Sequence, residues 1–408
     1  MLKFAPNEIS KKYLKKDLTL LQYRLEDLLE FQSNQMIRLL NFWDLNYLSL
    51  ERLPITDRNS KRNLIMEDSL CLQTSGTTNV PLKYCVWEPS FNKIETEWHY
   101  QQILKEYNLE NPKILRVTPL NESLLKYCEI IMWKGFKFWK RCFLPKKTEY
   151  LWSHGSENSI CYHYMYRPSE LVPFCEFLLE SNLKIDVFLT SFSFLNLLYN
   201  CHKQSNKKNQ KFCTLISSTC ENSSQKIIEE IINDSGFVDF FCDHMRCWDG
   251  GFTFFTCRYK QYHTFDYLCF AEEYDGKLIS TDIFNFSMPF IRYWNGDCIN
   301  FLSDWQKCKC GRYFKKFKFE GNRNFFVCGE NKKITSIELY DSISILSNAQ
   351  ALCYKDKIEI TTLDELDEKT KNLIRNKVPL SIEFTTKNYK MSGRFNKILR
   401  VKDCSNES

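Results

Sequence analysis

Gln73-Thr74-Ser75-Gly76-Thr77-Thr78-Asn79-Val80-Pro81-Leu82-Lys83 is the stretch on which the reading of this chain turns. Small and hydroxylated residues surround one glycine, and a proline and a lysine close the run. Backbone N–H groups, Ser and Thr hydroxyls and one cation on a short loop suit an anionic ligand, above all a polyphosphate. The loop is not of the Walker A type, because no glycine stands directly before Lys83. By itself the run also reads as a polar surface turn. Asn79 fits such a loop because Asn tolerates positive φ better than other non-glycine residues.

Working outward, residues 69–72 read as a strand and residues 95–106 as a helix, while residues 8–50 show helical spacing of apolar side chains. Alternating units follow, with strands expected at 113–117 and 186–189 and helices at 120–133 and 194–199. The clearest βαβ half pairs a strand at 213–217 with a helix at 225–234. Ser224 is its expected N-cap, Ile227, Ile228, Ile231 and Ile232 form its apolar face, and Gly236 ends it. A strand at 237–241 comes next. Beyond Asp249 short strands with turn residues predict an antiparallel or barrel-like portion. The fold class is therefore α/β. A large N-terminal domain of layered parallel sheets and helices, with a barrel-like β portion, covers 1–319. A small α+β C-terminal domain, with one helix near 363–376, covers 320–408.

Composition narrows the function. The chain has 408 residues, 43% apolar and 26% charged, which suits a globular protein of two domains or more. Its net charge of +6 is spread along the chain, so no nucleic-acid partner is expected. The densest basic run, 203–211, reads as an exposed loop. Nineteen cysteines are scattered, and the start MLKFAPNEISKKYLKK lacks the apolar core of a signal peptide. They read as mostly buried free thiols in a reducing cytosol. The longest apolar stretch, 187–199, is too short for a membrane span, so a cytoplasmic location is expected.

Two further patterns carry chemistry. Met288-Pro289-Phe290-Ile291-Arg292-Tyr293-Trp294-Asn295-Gly296-Asp297 ends in a Gly-Asp which, at the end of a strand, sets a carboxylate to accept hydrogen bonds from ribose hydroxyls. Cys257-x5-His263 is followed by Cys308-Lys309-Cys310-Gly311-Arg312. Three thiolates and one imidazole complete a closed tetrahedral zinc site of the structural kind. Spacing alone equally allows four ordinary residues among many cysteines.

Residues 73–83 resemble the TSGTTG-x-P-K phosphate loop of the adenylate-forming enzymes (acyl-CoA synthetases, adenylation domains and luciferases). Residues 289–297 resemble the P-L-I-R-Y-R-T-G-D segment of the phenylacetate-CoA ligase and CapK-like branch. Phe290 stands for Leu there, and Trp294 and Asn295 replace Arg and Thr. The branch carries a similar Cys…His…Cys-x-Cys-Gly-Arg set around zinc, which assigns Cys257, His263, Cys308 and Cys310 as metal ligands. The resemblance runs from about residue 50 to the C-terminus and marks the chain as a divergent relative.

The resemblance implies ATP-dependent activation of a carboxylic acid to an acyl-adenylate with release of pyrophosphate. Transfer to coenzyme A or an amine acceptor follows, with magnesium as the cation and homodimer formation left open. Thr74, Ser75, Gly76, Thr77 and Thr78 would cradle the departing phosphates, with Lys83 adding charge. Asp297 would hold the ribose. Asp249, eight residues before Cys257 and followed by Gly250-Gly251, falls on the magnesium-binding glutamate. Met245 falls on the adenine-stacking tyrosine and Trp248 on a threonine, leaving Trp248 or Phe241 to stack the base. Ser218-Thr219-Cys220-Glu221 stands where relatives have a Ser-Gly-Glu turn beside the acyl pocket. Glu221 reads equally as a solvated acid before a helix. Arg323 matches the hinge Arg, with Asn324 in the place of an aspartate. Arg394 occupies the register of the terminal catalytic lysine, with Lys397 three residues on; the same segment also reads as a basic surface turn. A nucleotide- or acyl-binding relative without turnover is the alternative reading, and a metal-stabilised interaction protein a third.

Overall fold

The computed structural model describes residues 18–45, 50–57, 60, 69–73, 83–87, 101–110, 112–119, 146–147, 152–156, 159–166, 171–181, 183–205, 210–218, 225–234, 236–246, 250–322, 326–328, 332–334, 336–343, 346, 349–354, 357–362, 365–378, 380–386 and 401–403. The chain folds into two compact units. The first takes residues 1–74, 81–110 and 244–320, and the second 75–80, 111–243 and 321–408.

The first unit opens with α1 (Leu25–Phe42), which buries Leu28, Gln32, Gln35, Leu39 and Leu40 at helical spacing. Glu26 and Asp27 occupy its first turn, where the helix dipole favours anions. Leu39 and Leu40 pack with Leu53, Phe286 and Ile291. β1 (Ser69–Gln73) and β2 (Lys83–Trp87) then form a two-stranded antiparallel ribbon, with Gln73 opposite Lys83 at its end. α2 (Gln101–Glu106) completes this part of the chain.

The second unit begins with β3 (Ile114–Pro119), β4 (Lys146–Lys147), β5 (Trp152–Ser156) and β6 (Ser159–Tyr166). There follow α3 (Leu171–Glu180), β7 (Val187–Thr190), α4 (Phe192–Gln204), β8 (Cys213–Ser218), α5 (Gln225–Asn233) and β9 (Val238–Arg246). Its strands run in the order β4-β5-β6-β3-β7-β8-β9, and β6, β3, β7, β8 and β9 are parallel. Parallel neighbours need crossover helices, and α3, α4 and α5 supply them. Leu115, Phe188, Phe194, Ile216, Ile228 and Phe241 belong to the core between helices and sheet. Ser191 caps α4 by accepting from the Phe194 N–H at 3.4 Å. The helix expected at 120–133 and the Ser224 cap lie outside the described residues.

The chain re-enters the first unit within β9, whose end pairs with β10 (Thr253–Thr256), itself paired with β11 (Tyr262–Thr264). β12 (Cys269–Tyr274), β13 (Lys277–Asp282), β14 (Tyr293–Lys307) and β15 (Tyr313–Asn322) form a four-stranded sheet in that order. Asp275-Gly276 joins β12 to β13 with φ of 53° and 70°, the backbone of a type I′ hairpin turn.

Back in the second unit come β16 (Phe326–Cys328), β17 (Lys332–Ile334), α6 (Ser336–Ile343), β18 (Ala349–Cys353), β19 (Ile358–Thr362), α7 (Glu368–Arg375), β20 (Ile382–Thr386) and β21 (Val401–Asp403). A mixed sheet ordered β20-β19-β18-β21 covers a second core of Leu339, Ile343, Ala351, Ile360 and Ile374. Asp367 caps α7 by accepting from the Thr370 N–H at 2.7 Å.

Candidate functional site

The best-defined site joins the ends of two hairpins in the first unit. After β10, Cys257 and Gln261 close a tight turn (Cys257 N to Gln261 O 3.0 Å, Lys260 N to Cys257 O 2.8 Å), with Lys260 at a φ of 57°. Between β14 and β15, Cys308 and Arg312 close another (Cys308 N to Arg312 O 2.8 Å, Gly311 N to Cys308 O 2.9 Å). Gly311 has a φ of 93°, a backbone that L side chains rarely adopt. These turns bring Cys257, His263, Cys308 and Cys310 together, their ligand atoms all within 4.8 Å of one another.

The spacing suits a tetrahedral ion. Sulfurs ~2.3 Å from a zinc stand about 3.8 Å apart, and a sulfur and an imidazole nitrogen about 3.5 Å. Cys257 and Cys308 Sγ are 3.8 Å apart, and Cys310 Sγ lies 3.4 Å from His263 Nε2. The Cys257 thiol hydrogen-bonds Cys310 and, with His263, lowers the Cys310 pKa, favouring a thiolate there. The same bond holds Cys257 up, and burial raises Cys308.

A buried ion pair that the sequence reading missed lies beside this set. Arg312 is 1% exposed, with its guanidinium 5.3 Å from the Tyr23 ring centroid and 5.4 Å from that of Phe255. It pairs with Glu106, at the end of α2, which also accepts from Arg258. A cavity of about 320 Å³ opens there, lined by Tyr23, Lys105, Glu106, Arg258, Lys309 and Arg312 among others. The only sequence signal was Arg312 itself, directly after the Cys-x-Cys-Gly run.

The ribose candidate Asp297 is 7% exposed. It lies within β14 and not at a strand end as the sequence suggested. β14 covers Trp294–Cys298 opposite Lys277–Ile279 of β13, so the strand bulges at Asn295-Gly296-Asp297. Gly296 takes a φ of 104° there. Asn295 fixes the carboxylate, donating from Nδ2 to Asp297 Oδ2 at 2.7 Å and accepting from the Asp297 N–H at 2.9 Å. Arg292, at a φ of 47°, is buried and donates to the Glu51 and Leu53 carbonyls, both at 2.8 Å. It also ion-pairs with Glu272 at 3.4 Å, so it fastens this segment to main chain and to β12.

Gly250 and Gly251 both have positive φ. A Cβ on Gly250 would stand 2.7 Å from Ser280 Oγ and 2.8 Å from Tyr293 Cδ1, and one on Gly251 2.8 Å from the Asp282 carboxyl. Glycine is required at both positions by the close approach of β13 and β14. Met245, opposite Phe254 in the β9–β10 register, packs on the cluster of Phe252, Phe254 and Phe317. Phe241 is 9% exposed in the core of the second unit, so its ring serves packing. Ser218 ends β8 with a buried hydroxyl. Lys83 starts β2. Thr74, Ser75, Gly76, Thr77, Thr78, Glu221, Trp248, Asp249, Arg323, Asn324, Arg394 and Lys397 lie outside the described residues.

The cysteines are mostly free thiols, as expected, with one exception. Ten described cysteines are free thiols, but Cys85 is in a disulfide.

No family model and no curated protein matches the chain. Solved structures do. The chain is similar to 2-hydroxyisobutyryl-CoA ligase in complex with 2-HIB-AMP, at 13% identity and a TM-score of 0.58, over 86% of this chain and 80% of that one. It is also similar to the anthranilate CoA ligase AuaEII in complex with anthranoyl-AMP, at 12% identity and a TM-score of 0.50, over 81% of this chain and 65% of that one. At such identities the likeness is one of fold. The chain has the α/β fold of the adenylate-forming ligases. No helix among the described residues is long and apolar enough to cross a membrane.

Proposed function

We propose that the protein is an adenylate-forming carboxylate ligase of the phenylacetate-CoA ligase and CapK-like branch. The observation that carries this is Asp297. Its carboxylate is aimed by a glycine-dependent bulge and an asparagine clamp, in a fold shared with ligases solved as acyl-AMP complexes. In the proposed reaction a carboxylate oxygen attacks the α-phosphorus of ATP and pyrophosphate leaves. A nucleophile, the thiol of coenzyme A or an amine, then displaces AMP.

Positioning and charge neutralisation carry such a transfer. Ser75, Gly76, Thr77 and Thr78 would cradle the β- and γ-phosphates, Lys83 would add charge, Asp249 would hold magnesium and Asp297 the ribose. Arg394 or Lys397 would steady the transition state when residues 320–408 close as a mobile domain and exclude water. Cys257, His263, Cys308 and Cys310 would hold a structural zinc, with no open position for catalysis. A cytosolic location is part of the same proposal.

A second reading, a nucleotide- or acyl-binding relative without turnover, draws on Met245 and Phe241. Both serve cores where an adenine-stacking ring would be expected. ATP–pyrophosphate exchange against a mixed panel of aryl and aliphatic acids separates the two, with a Lys83→Ala/Asp297→Ala double variant as the blank. Acid-dependent exchange absent from the variant is the expected result. ATP binding without exchange would favour the second reading, and no ATP binding would overturn the adenylation mechanism.

A further inference from the structure

We infer that Cys310 is the reactive member of the metal set, and that the cationic cavity on its outer side admits an anionic disulfide, such as oxidised glutathione, which opens the set. Burial divides the four ligands unevenly. His263 is 0%, Cys257 1% and Cys308 7% exposed, while Cys310 is half-buried. The cavity of about 320 Å³ beside Arg312 reaches Cys310 and none of the other three. A reagent arriving from solvent through it therefore meets the Cys310 sulfur first.

The walls of that cavity set which reagents enter. Lys105 stands near the end of α2, Arg258 follows Cys257 in one turn, and Lys309 and Arg312 lie on either side of Cys310 in the other. Glu106 is the one acid among the described lining residues, and its carboxylate is already shared by Arg258 and Arg312. Four cations therefore face one carboxylate, and Lys105 and Lys309 are exposed. Such an excess of one sign concentrates anions and speeds their arrival, while it repels cations. Lys309 carries its charge closest along the chain, because it directly precedes Cys310. All of these residues belong to the first unit, so the site is complete within it.

The chemistry is thiol–disulfide exchange. A cysteine that ligates metal is a thiolate, the form that attacks disulfides. The Cys310 sulfur attacks one sulfur of oxidised glutathione, the S–S bond breaks, and one glutathione thiolate leaves and takes a proton from water. A second thiolate of the set, whose ligand atoms all lie within 4.8 Å of one another, then attacks the Cys310 sulfur of the mixed disulfide and expels the other glutathione thiolate. Two cysteines thereby lose two electrons, and one glutathione disulfide gains them. One thiolate and one imidazole remain, too few to complete a tetrahedral site. The loss of metal rests on the zinc reading; the order of reactivity among the cysteines does not.

Two disulfides of opposite charge provide the test. The zinc-loaded full chain is treated with oxidised glutathione, which is anionic, or with cystamine, which is cationic, each rate being divided by that of the same reagent with a small free thiol. Zinc release is followed with a chromogenic chelator, and modified cysteines are mapped by mass spectrometry at low conversion. Cys310 is expected to be modified before Cys257 and Cys308, with zinc released in step. Oxidised glutathione is expected to react about 10-fold faster than cystamine on this normalised scale. Raised salt should shrink that preference. A Lys105→Glu/Lys309→Glu variant, shown by elemental analysis and circular dichroism to keep its zinc and its fold, should prefer cystamine. First attack at Cys257 or Cys308 overturns the assignment of Cys310. A preference unchanged by salt and by the variant overturns the role of the cavity, and modification of Cys310 without zinc release overturns the opening of the set. A chain that takes up no zinc counts against the zinc reading alone, and the order of modification still decides Cys310.

Discussion

The first unit brings chain segments together at two places, the cluster of Cys257, His263, Cys308 and Cys310 and the β1–β2 ribbon, and they are built to different standards. At Cys257, His263, Cys308 and Cys310 two hairpin turns converge, each closed by its own backbone hydrogen bonds and each using a residue at positive φ. The Glu106–Arg312 ion pair buttresses them from the side. The β1–β2 ribbon has its ladder and, on β2, the Cys85 main-chain hydrogen bonds with Asn285 Nδ2 and Met288 Sδ. A four-ligand cluster on preformed turns would be a strong fastening once it holds a metal ion. The ribbon is held by hydrogen bonds along two short strands, and it ends at the Gln73–Lys83 pair.

The contrast can be broken most severely at the metal set. Cys308→Ser should abolish the binding of one equivalent of zinc per chain, measured by elemental analysis, and should lower the thermal midpoint steeply. Structural zinc in small domains contributes ~10–16 kcal/mol of binding free energy, and even a fraction of that exceeds a typical protein's margin. Cys85→Ser, which removes a disulfide, should cost less, about 2–4 kcal/mol. Equal losses from the two variants would erase the distinction.

Next in size is the buttress. Arg312→Leu leaves the Glu106 carboxylate buried with only Arg258 near it, and breaking a buried pair costs about 3–5 kcal/mol. Denaturant unfolding of the zinc-loaded variant measures this. A change under 1 kcal/mol would mean that the metal set needs no support from α2.

A pH effect is expected from Asp266, close in the chain to His263. Burial pushes its carboxyl up to about 6, although Thr264 Oγ1 donates to it at 2.6 Å. The unfolded group has the lower pKa, so the folded state holds the extra proton. Stability is fully present below the unfolded value and is lost as pH rises through about 6, by up to about 3 kcal/mol. Asp266→Asn should flatten that slope between pH 4 and 6 relative to wild type, and parallel curves would contradict the assignment.

The smallest expected effect is at Gly311. Alanine there must hold a φ of 93° and set its Cβ 3.4 Å from the Tyr23 ring, which should cost about 1–2 kcal/mol. Thermal melts with and without excess zinc would show whether the loss acts through the turn, since bound metal should mask part of it.

Much of this was legible in the residues. The βαβ half from Cys213 onward follows from apolar periodicity, because Ile227, Ile228 and Ile231 can reach a core together only on a helix. The four metal-type ligands were legible through the resemblance of the Cys-x-Cys-Gly-Arg run, since spacing alone allowed four ordinary residues. The setting of Asp297 was not: a bulge depends on how two strands pair, and nothing in Asn295-Gly296-Asp297 states its partner's register. Glu106 was not legible either, since it reaches Arg312 only once α2 has docked on the β14–β15 turn.

The sequence by itself determined the α/β class and the βαβ half from Cys213 onward, and it singled out Cys257, His263, Cys308 and Cys310. Each rests on local periodicity or on residue types a few positions apart. Only the tertiary structure decided that Gly296 serves a bulge, that Met245 belongs to a core, that Arg312 is buried against Glu106 and that Cys85 is no free thiol. Those outcomes depend on contacts between segments distant in the chain, and they are set by the packing of whole elements and not by any one segment's preference.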